Sequence, residues 1–187
     1  REQRLMDCIH LEPVDRVPVG CELGFFIARY AGVPCSASYY DCDAWMAACR
    51  TTLEDFQPDL VFLREFTPGK ALEILQPKNL LWPGHGTDPG CGEMQVIEID
   101  SLGGDEYDYF MKNPADFMLR HHLPRNYDGL KVLSMLPELD DIAWFEPWAA
   151  ERLAMFVADP EVEAAFQSLL EAGRELRIRD KFHFEAG

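Results

Sequence analysis

Side chains that could take part in chemistry lie directly after two predicted strands. Residues 14–20 form a compact β-branched run that is followed by Glu22, and the apolar run 59–63 is followed by Arg64 and Glu65. A carboxylate at the end of a strand can act as a general base or orient a ligand, and a guanidinium can bind a substrate carboxylate. We therefore predict Glu22 and Glu65 as catalytic residues and Arg64 as a substrate-binding residue, with a solvated loop as the alternative.

Two further cationic or titratable side chains are candidates for substrate binding. Arg29 follows an aromatic and aliphatic stretch, where its guanidinium could hold a carboxylate. A surface arginine whose alkyl stem covers apolar groups is the alternative. His85 lies in a loop rich in proline and glycine, where it could contact substrate or form hydrogen bonds to the backbone.

The spacing of histidine and cysteine predicts no metal site in this chain. The sequence contains no Cys-x-x-Cys, His-x-Cys or His-x-x-x-His pattern, which are the spacings expected of zinc ligands. The adjacent His121 and His122 cannot both face one metal from a regular helix. The six cysteines are scattered rather than arranged as a disulfide framework, so we predict reduced thiols.

Composition restricts the classes of partner. The 33 acidic and 17 basic side chains give a formal net charge of -16, which repels phosphate backbones and anionic membrane surfaces. No uncharged apolar stretch has the roughly 18 to 20 residues of a membrane span, and the first residues lack the apolar core of a secretory signal. We predict a cytoplasmic protein that acts on a small molecule and binds neither nucleic acid nor membrane.

Hydrophobic spacing and turn residues predict alternating strands and helices. A buried stripe of Met46, Cys49, Leu53 and Phe56 is typical of a helix that begins at Asp41 or Asp43. The remaining predicted helices cover residues 4–11, 114–120, 147–157 and a longer stretch from residue 160. Breakers predict a loop over residues 80–92, and alternation predicts an edge strand or an excursion hairpin over residues 95–100.

Five short motifs occur in an order that resembles the N-terminal half of the uroporphyrinogen decarboxylase superfamily. They are EPVDRVPV (12–19), WPGHG (82–86), DEYD (105–108), NPADF (113–117) and LPR (123–125). The resemblance implies an incomplete α/β fold of the (β/α)₈ TIM-barrel type. Members of that superfamily decarboxylate porphyrinogens without a cofactor or move methyl groups between corrinoid proteins and thiols.

The resemblance favours the methyl-transfer branch over the decarboxylases. The arginine-rich segment of the decarboxylases would fall within residues 23–30, where Arg29 is the only cation, and their catalytic aspartate would fall near Phe66. The methyl-transfer branch implies a zinc ion, held by ligands in the later strands of the barrel, and a corrinoid carried by a partner protein. Decarboxylation of uroporphyrinogen or a related acid is the alternative, and a non-catalytic fragment that binds a corrinoid protein is the second alternative.

The length is smaller than that of a whole barrel, which needs about 250 residues. We therefore expect residues 1–187 to be the truncated N-terminal part of one barrel domain, inactive by itself. Its exposed strand edge would favour association, so a homodimer is an expected state.

Overall fold

The computed structural model describes residues 1–62, 66–90, 92–138 and 147–177. These residues form two compact units. The first contains the described residues within 1–67 and 82–94, and the second contains those within 68–81 and 95–177. The described strands do not close into a barrel, so the (β/α)₈ fold and the single barrel domain over residues 1–187 stay predictions.

The first unit is built on one pair of parallel strands joined by helices. Its strands are β1 (Gly20–Glu22) and β2 (Leu60–Phe62), which pair in parallel with Cys21 opposite Val61. Its helices are α1 (Glu2–Ile9), α2 (Phe26–Ala31), α3 (Ala37–Tyr40) and α4 (Cys42–Phe56). Parallel strands need a long crossover between them, and α2, α3 and α4 provide it. The prediction of a strand near residues 59–63 is confirmed.

The predicted first strand over residues 14–20 is wrong in position, because β1 begins only at Gly20. Side-chain hydrogen bonds hold the preceding segment instead of a strand ladder. The carboxylate of Asp59 accepts the backbone N–H of Val19 at 2.9 Å, and Pro18 has no N–H to donate. The strands are also less buried than predicted, since Leu60 is 44% exposed.

The helix α4 supplies much of the core of the first unit, but of the predicted stripe only Cys49 is fully buried. The Asp41 side chain accepts the backbone N–H of Ala44 at 3.0 Å, which confirms one of the two predicted caps. The buried residues of α4 are Trp45, Ala48, Cys49 and Thr52. Helices α2 and α3 pack against α4 and cover Trp45, whereas Phe56 is 51% exposed.

Removal of the cap should weaken α4. The variant Asp41→Ala leaves the N–H of Ala44 without its acceptor, and we expect a loss of about 1 kcal/mol in the free energy of unfolding. Urea denaturation followed by far-UV circular dichroism would measure it. Asp43→Ala, in the same helical turn, serves as the control; a loss as large as that of Asp41→Ala would contradict the capping role.

The predicted loop over residues 80–92 is only partly correct, because it contains two short strands. They are β3 (Leu80–Pro83) and β4 (Gly86–Thr87). The two strands pair in parallel, and the tight connection is made by Gly84 and by Gly86 at the start of β4, whose φ angles of 91° and 87° lie in the region that favours glycine. The backbone N–H of Trp82 donates to the carbonyl of His85 at 2.9 Å.

The second unit is mainly helical. Its elements are α5 (Gly69–Leu75), β5 (Gln95–Val96), α6 (Tyr107–Lys112), α7 (Pro114–Phe117), a π-helix (Met118–His122), α8 (Leu123–Asn126), a 3₁₀ helix (Asp128–Met135), α9 (Pro147–Ala158) and α10 (Pro160–Leu176). The predicted edge strand is confirmed in shorter form, since β5 pairs antiparallel with Leu80–Leu81. Helix α10 begins as predicted, because Asp159 accepts the N–H of Glu161 at 2.8 Å. It packs against α5.

Within the described ranges, no helix has both the length and the apolar character needed to cross a membrane. No disulfide joins Cys8, Cys21, Cys35, Cys42 and Cys49 to one another in the part of the chain that the structure describes, and the reduced state stays a prediction. Burial raises the pKa of the Cys49 thiol to about 11. The reactive thiolate is therefore scarce at Cys49 near neutral pH.

Candidate functional site

A cavity of about 540 Å³ lies beside β1 in the first unit. Its walls come from the segment before β1, from β1 itself, from the start of α2 and from the end of α4. The lining residues are Arg16, Val19, Cys21, Glu22, Leu23, Phe26, Phe56, Gln57 and Pro58. The volume falls in the range of ordinary small-molecule sites, and most of the lining side chains are apolar, as in such sites.

Glu22 supplies the negative charge of this cavity. It is exposed at the end of β1, and its carboxylate forms no hydrogen bond or ion pair with any residue that the structure describes. The guanidinium of Arg16 is already bound, because its two terminal nitrogens donate to Asp59 at 2.5 and 3.0 Å. The cavity therefore combines apolar walls with a carboxylate that can receive a ligand.

Aromatic rings extend the apolar wall outwards. The ring of Phe26 lies 5.6 Å from that of Tyr30 and 5.6 Å from that of Phe56, and the last two are 4.8 Å apart. All three remain between 44% and 51% exposed. The Tyr30 hydroxyl donates to Asp55 at 2.9 Å, and this hydrogen bond raises the pKa of Tyr30. The sequence pattern placed Phe56 in the core, so its position at the cavity was missed.

The segment that forms the floor of the cavity is held by a buried carboxylate. The side chain of Asp59 is fully buried and accepts hydrogen bonds from Arg4, Arg16 and the N–H of Val19. The Val19 N–H, followed by the two guanidinium groups, lowers the pKa of Asp59 to about 2. Arg4 also pairs with Asp15 at 2.5 Å. These residues lie before the strands rather than after them, and we interpret them as structural.

The predicted site residues are not all brought together. Of the residues predicted to bind substrate or act in catalysis, Glu22 lines the cavity, whereas Arg29 and His85 do not. Arg29 is 60% exposed and lies 3.5 Å from Glu93. Its predicted role, and those of Arg64 and Glu65, which lie outside the described residues, stay predictions.

His85 occupies the turn between β3 and β4. Its ring stacks on Trp82 with centroids 4.6 Å apart and planes at 17°, and it also lies parallel to the ring of Tyr40 at 6.2 Å. The indole N–H of Trp82 donates to the Tyr40 hydroxyl at 3.1 Å. These contacts give His85 a packing role on an exposed turn, and its substrate-binding role stays a prediction.

An ion pair in the second unit joins two of the five motifs, DEYD and LPR. Glu106 of DEYD accepts two hydrogen bonds from Arg125 of LPR, at 2.6 and 2.7 Å, and a third from the N–H of Gly103 at 2.8 Å. Arg125 and this N–H lower the pKa of Glu106 to about 2. Reasoning from the sequence missed this pair, because the two residues are 19 positions apart and no helical spacing links them.

A second ion pair stabilises the neighbouring helical turn. Arg120 donates to Asp116 at 3.0 Å and to the carbonyl of Leu136 at 2.9 Å, and the Tyr109 hydroxyl also donates to Asp116. The spacing of four residues between Asp116 and Arg120 is a signal that the sequence did carry. Beside it, His121 stacks on Phe117 with ring centroids 5.5 Å apart.

No group of three or more His, Cys, Asp and Glu side chains is placed to hold a metal ion in the part of the chain that the structure describes. The methyl-transfer resemblance implies a zinc site in the later strands of the barrel, and that site stays a prediction. Ligands for zinc would have to come from other residues.

Comparisons with protein-family models, with curated proteins and with solved structures gave no significant match to this chain. The resemblance to the uroporphyrinogen decarboxylase superfamily therefore stays a prediction that depends on the order of the five motifs.

Proposed function

We propose that this chain is part of a uroporphyrinogen decarboxylase-like barrel enzyme that transfers a methyl group between a corrinoid and a thiol. The observation that carries the proposal is the parallel pair β1 and β2, joined through helices, with the carboxylate of Glu22 at the carboxyl end of β1. Enzymes with (β/α)₈ barrels place their catalytic groups at that end of the strands. A closed barrel would require further strands, supplied by other residues.

The charges around the cavity favour methyl transfer over decarboxylation of a porphyrinogen. A substrate with several carboxylates needs several cations to bind it. Among the described residues that line the cavity, the one arginine is Arg16, which Asp59 already engages. Arg29 lies beside Glu93, and the net charge of -16 repels polyanions.

In this proposal, the chain's own residues bind and orient the substrate. The apolar walls exclude water from the bound molecule, and the carboxylate of Glu22 accepts a proton or orients the substrate. The corrinoid, carried by a partner protein, supplies the methyl group when it is bound. The methyl acceptor reacts as a thiolate, so the proton of the thiol must leave before or during transfer.

The proposal predicts consumption of methylcobalamin that depends on both protein and thiol. The protein that contains this chain would be incubated with methylcobalamin and a series of small thiols, with and without zinc. We expect loss of the methylcobalamin absorbance and formation of the methyl thioether, detected by mass spectrometry. Glu22→Gln should reduce the rate by about 10²-fold or more, the usual contribution of a general base, whereas Glu163→Gln in the second unit should not.

Other outcomes would contradict the proposal. Release of carbon dioxide from uroporphyrinogen, without methyl transfer, would identify a decarboxylase instead. Binding of a corrinoid protein without turnover of either substrate would identify a non-catalytic binding protein.

A further inference from the structure

We infer that the cavity beside β1 binds a small organic ammonium ion, with its cationic end at Glu22 and its apolar part against Phe26 and Phe56. The inference depends on the composition and geometry of the cavity, and not on methyl transfer. It assigns to Glu22 the additional task of orienting a ligand through its charge.

The charge of the cavity selects for a cation. Glu22 has no ion-pair or hydrogen-bond partner among the described residues, and the guanidinium of Arg16 is neutralised by Asp59. Within the described lining, an anionic ligand would therefore meet the carboxylate of Glu22 and no arginine or lysine other than the neutralised Arg16. The net charge of -16 adds a long-range field that attracts cations to the surface.

The apolar walls of the cavity favour an organic cation over a metal ion. Phe26 and Phe56 line the cavity, and each is about half exposed, so their ring faces and edges are accessible to a ligand. Aromatic faces attract ammonium groups through their quadrupole. A hydrated metal ion gains little from such walls, whereas the methyl and methylene groups of an alkylammonium or arylammonium ion are removed from water there.

The volume is also suitable for such a molecule. A cavity of about 540 Å³ is larger than a single ammonium group needs and accommodates a ligand with an aromatic ring or a short chain. The Tyr30 ring continues the wall from Phe26 and Phe56, and its hydroxyl is bound to Asp55. The carboxylate of Asp55 thus adds further negative charge at the aromatic end.

The test compares three probes that share one ring and differ in charge. Benzyltrimethylammonium, benzyl alcohol and benzylsulfonate would be titrated into the isotope-labelled 187-residue chain, with backbone shifts followed by NMR. We expect the cation to bind about tenfold more tightly than the alcohol, and the sulfonate not to bind. The largest shifts should occur at Cys21, Glu22 and Leu23.

Variants distinguish the contribution of the Glu22 charge to binding from that of the aromatic walls. Glu22→Gln should weaken binding of the cation about tenfold and leave the alcohol unchanged, and Phe56→Leu should weaken the cation about threefold. Glu163→Gln, which removes the same charge from α10 in the second unit, is the matched control and should change neither. Circular dichroism would verify that each variant is folded.

Three results would overturn the inference. They are equal affinity for the cation and the alcohol, unchanged cation binding in Glu22→Gln, and shifts confined to residues outside the cavity. If Glu22→Gln does not fold, cation binding to the wild-type chain can be measured at several salt concentrations instead. Salt screens the attraction between the cation and the carboxylate, so raising it from ~0.02 M to ~0.5 M should weaken cation binding several-fold. Salt-independent binding would overturn the inference equally.

Discussion

Replacement of Trp45 by alanine should lower the free energy of unfolding by about 3–5 kcal/mol, the usual loss for a large aromatic side chain in a core. Trp45 is 1% exposed, and its helix α4 packs against both α2 and α3. The cavity left by the indole cannot be filled by one neighbour without disturbing another. Urea denaturation followed by far-UV circular dichroism would measure the loss without depending on the fluorescence of the removed tryptophan.

The neighbouring residue in α4 provides the matched control. Met46 belongs to the stripe that the sequence pattern predicted as buried, yet it is only half-buried in the structure. Met46→Ala should therefore lower the free energy of unfolding by less than about 2 kcal/mol, below the usual range for buried methionines. A larger loss for Met46→Ala than for Trp45→Ala would show that α4 presents its other face to the core.

Acid should remove the stabilisation that Asp59 provides. Its pKa is about 2 in the folded chain against an ordinary value of 3.8, mainly because the Val19 N–H and two guanidinium groups bind the carboxylate. A carboxylate with a lowered folded pKa stabilises the fold fully above its unfolded pKa and loses this contribution as the pH falls through the folded pKa. The contribution of Asp59 should therefore be complete above about pH 4 and absent below about pH 2.

Two variants of Asp59 separate the charge from the hydrogen bond. Asp59→Asn removes the charge that binds Arg4 and Arg16, but it keeps an oxygen for the Val19 N–H. Asp59→Ala removes both. We expect both variants to be destabilised at pH 7, alanine more than asparagine, and the uptake of protons on unfolding near pH 3 to fall by up to about one proton.

The measurement is urea denaturation at a series of pH values between 2 and 7. Glu54→Gln, an exposed site on α4, removes one carboxylate without touching the Asp59 cluster and should keep the wild-type pH dependence. An Asp59→Asn variant whose stability changes with pH as the wild type does would contradict the assigned role of the buried carboxylate.

The five motifs show which features could be predicted from the sequence and which could not. The order of the motifs suggested a superfamily, but not the contacts that the motif residues make. In the second unit, Glu106 of DEYD and Arg125 of LPR bind each other. In the first, Arg16 of EPVDRVPV binds Asp59. Both pairs join positions far apart along the chain, which local spacing does not reveal.

Local rules were sufficient for the ends of several elements. Asp41 and Asp159 cap α4 and α10 as their positions before a helix indicated, because a cap bonds only to residues two or three positions away. The short apolar run near Val61 does form a strand, and it pairs in parallel with Gly20–Glu22, which begins only at the last residue of the predicted first strand. The bounds of β1 were wrong, because the N–H of Val19 donates to the side chain of Asp59, 40 positions away, and Pro18 has no N–H to donate.

The sequence by itself determined where α10 begins, limited the start of α4 to Asp41 or Asp43, and placed a strand near Val61. Only the tertiary structure decided that Trp45 rather than Met46 faces the core, and that Phe56 lies on the wall of a cavity with Glu22. Caps and periodicity depend on neighbours within a few residues. The burial of a helix face and the shape of a cavity depend on α2, α3 and the strands, which tertiary packing brings together.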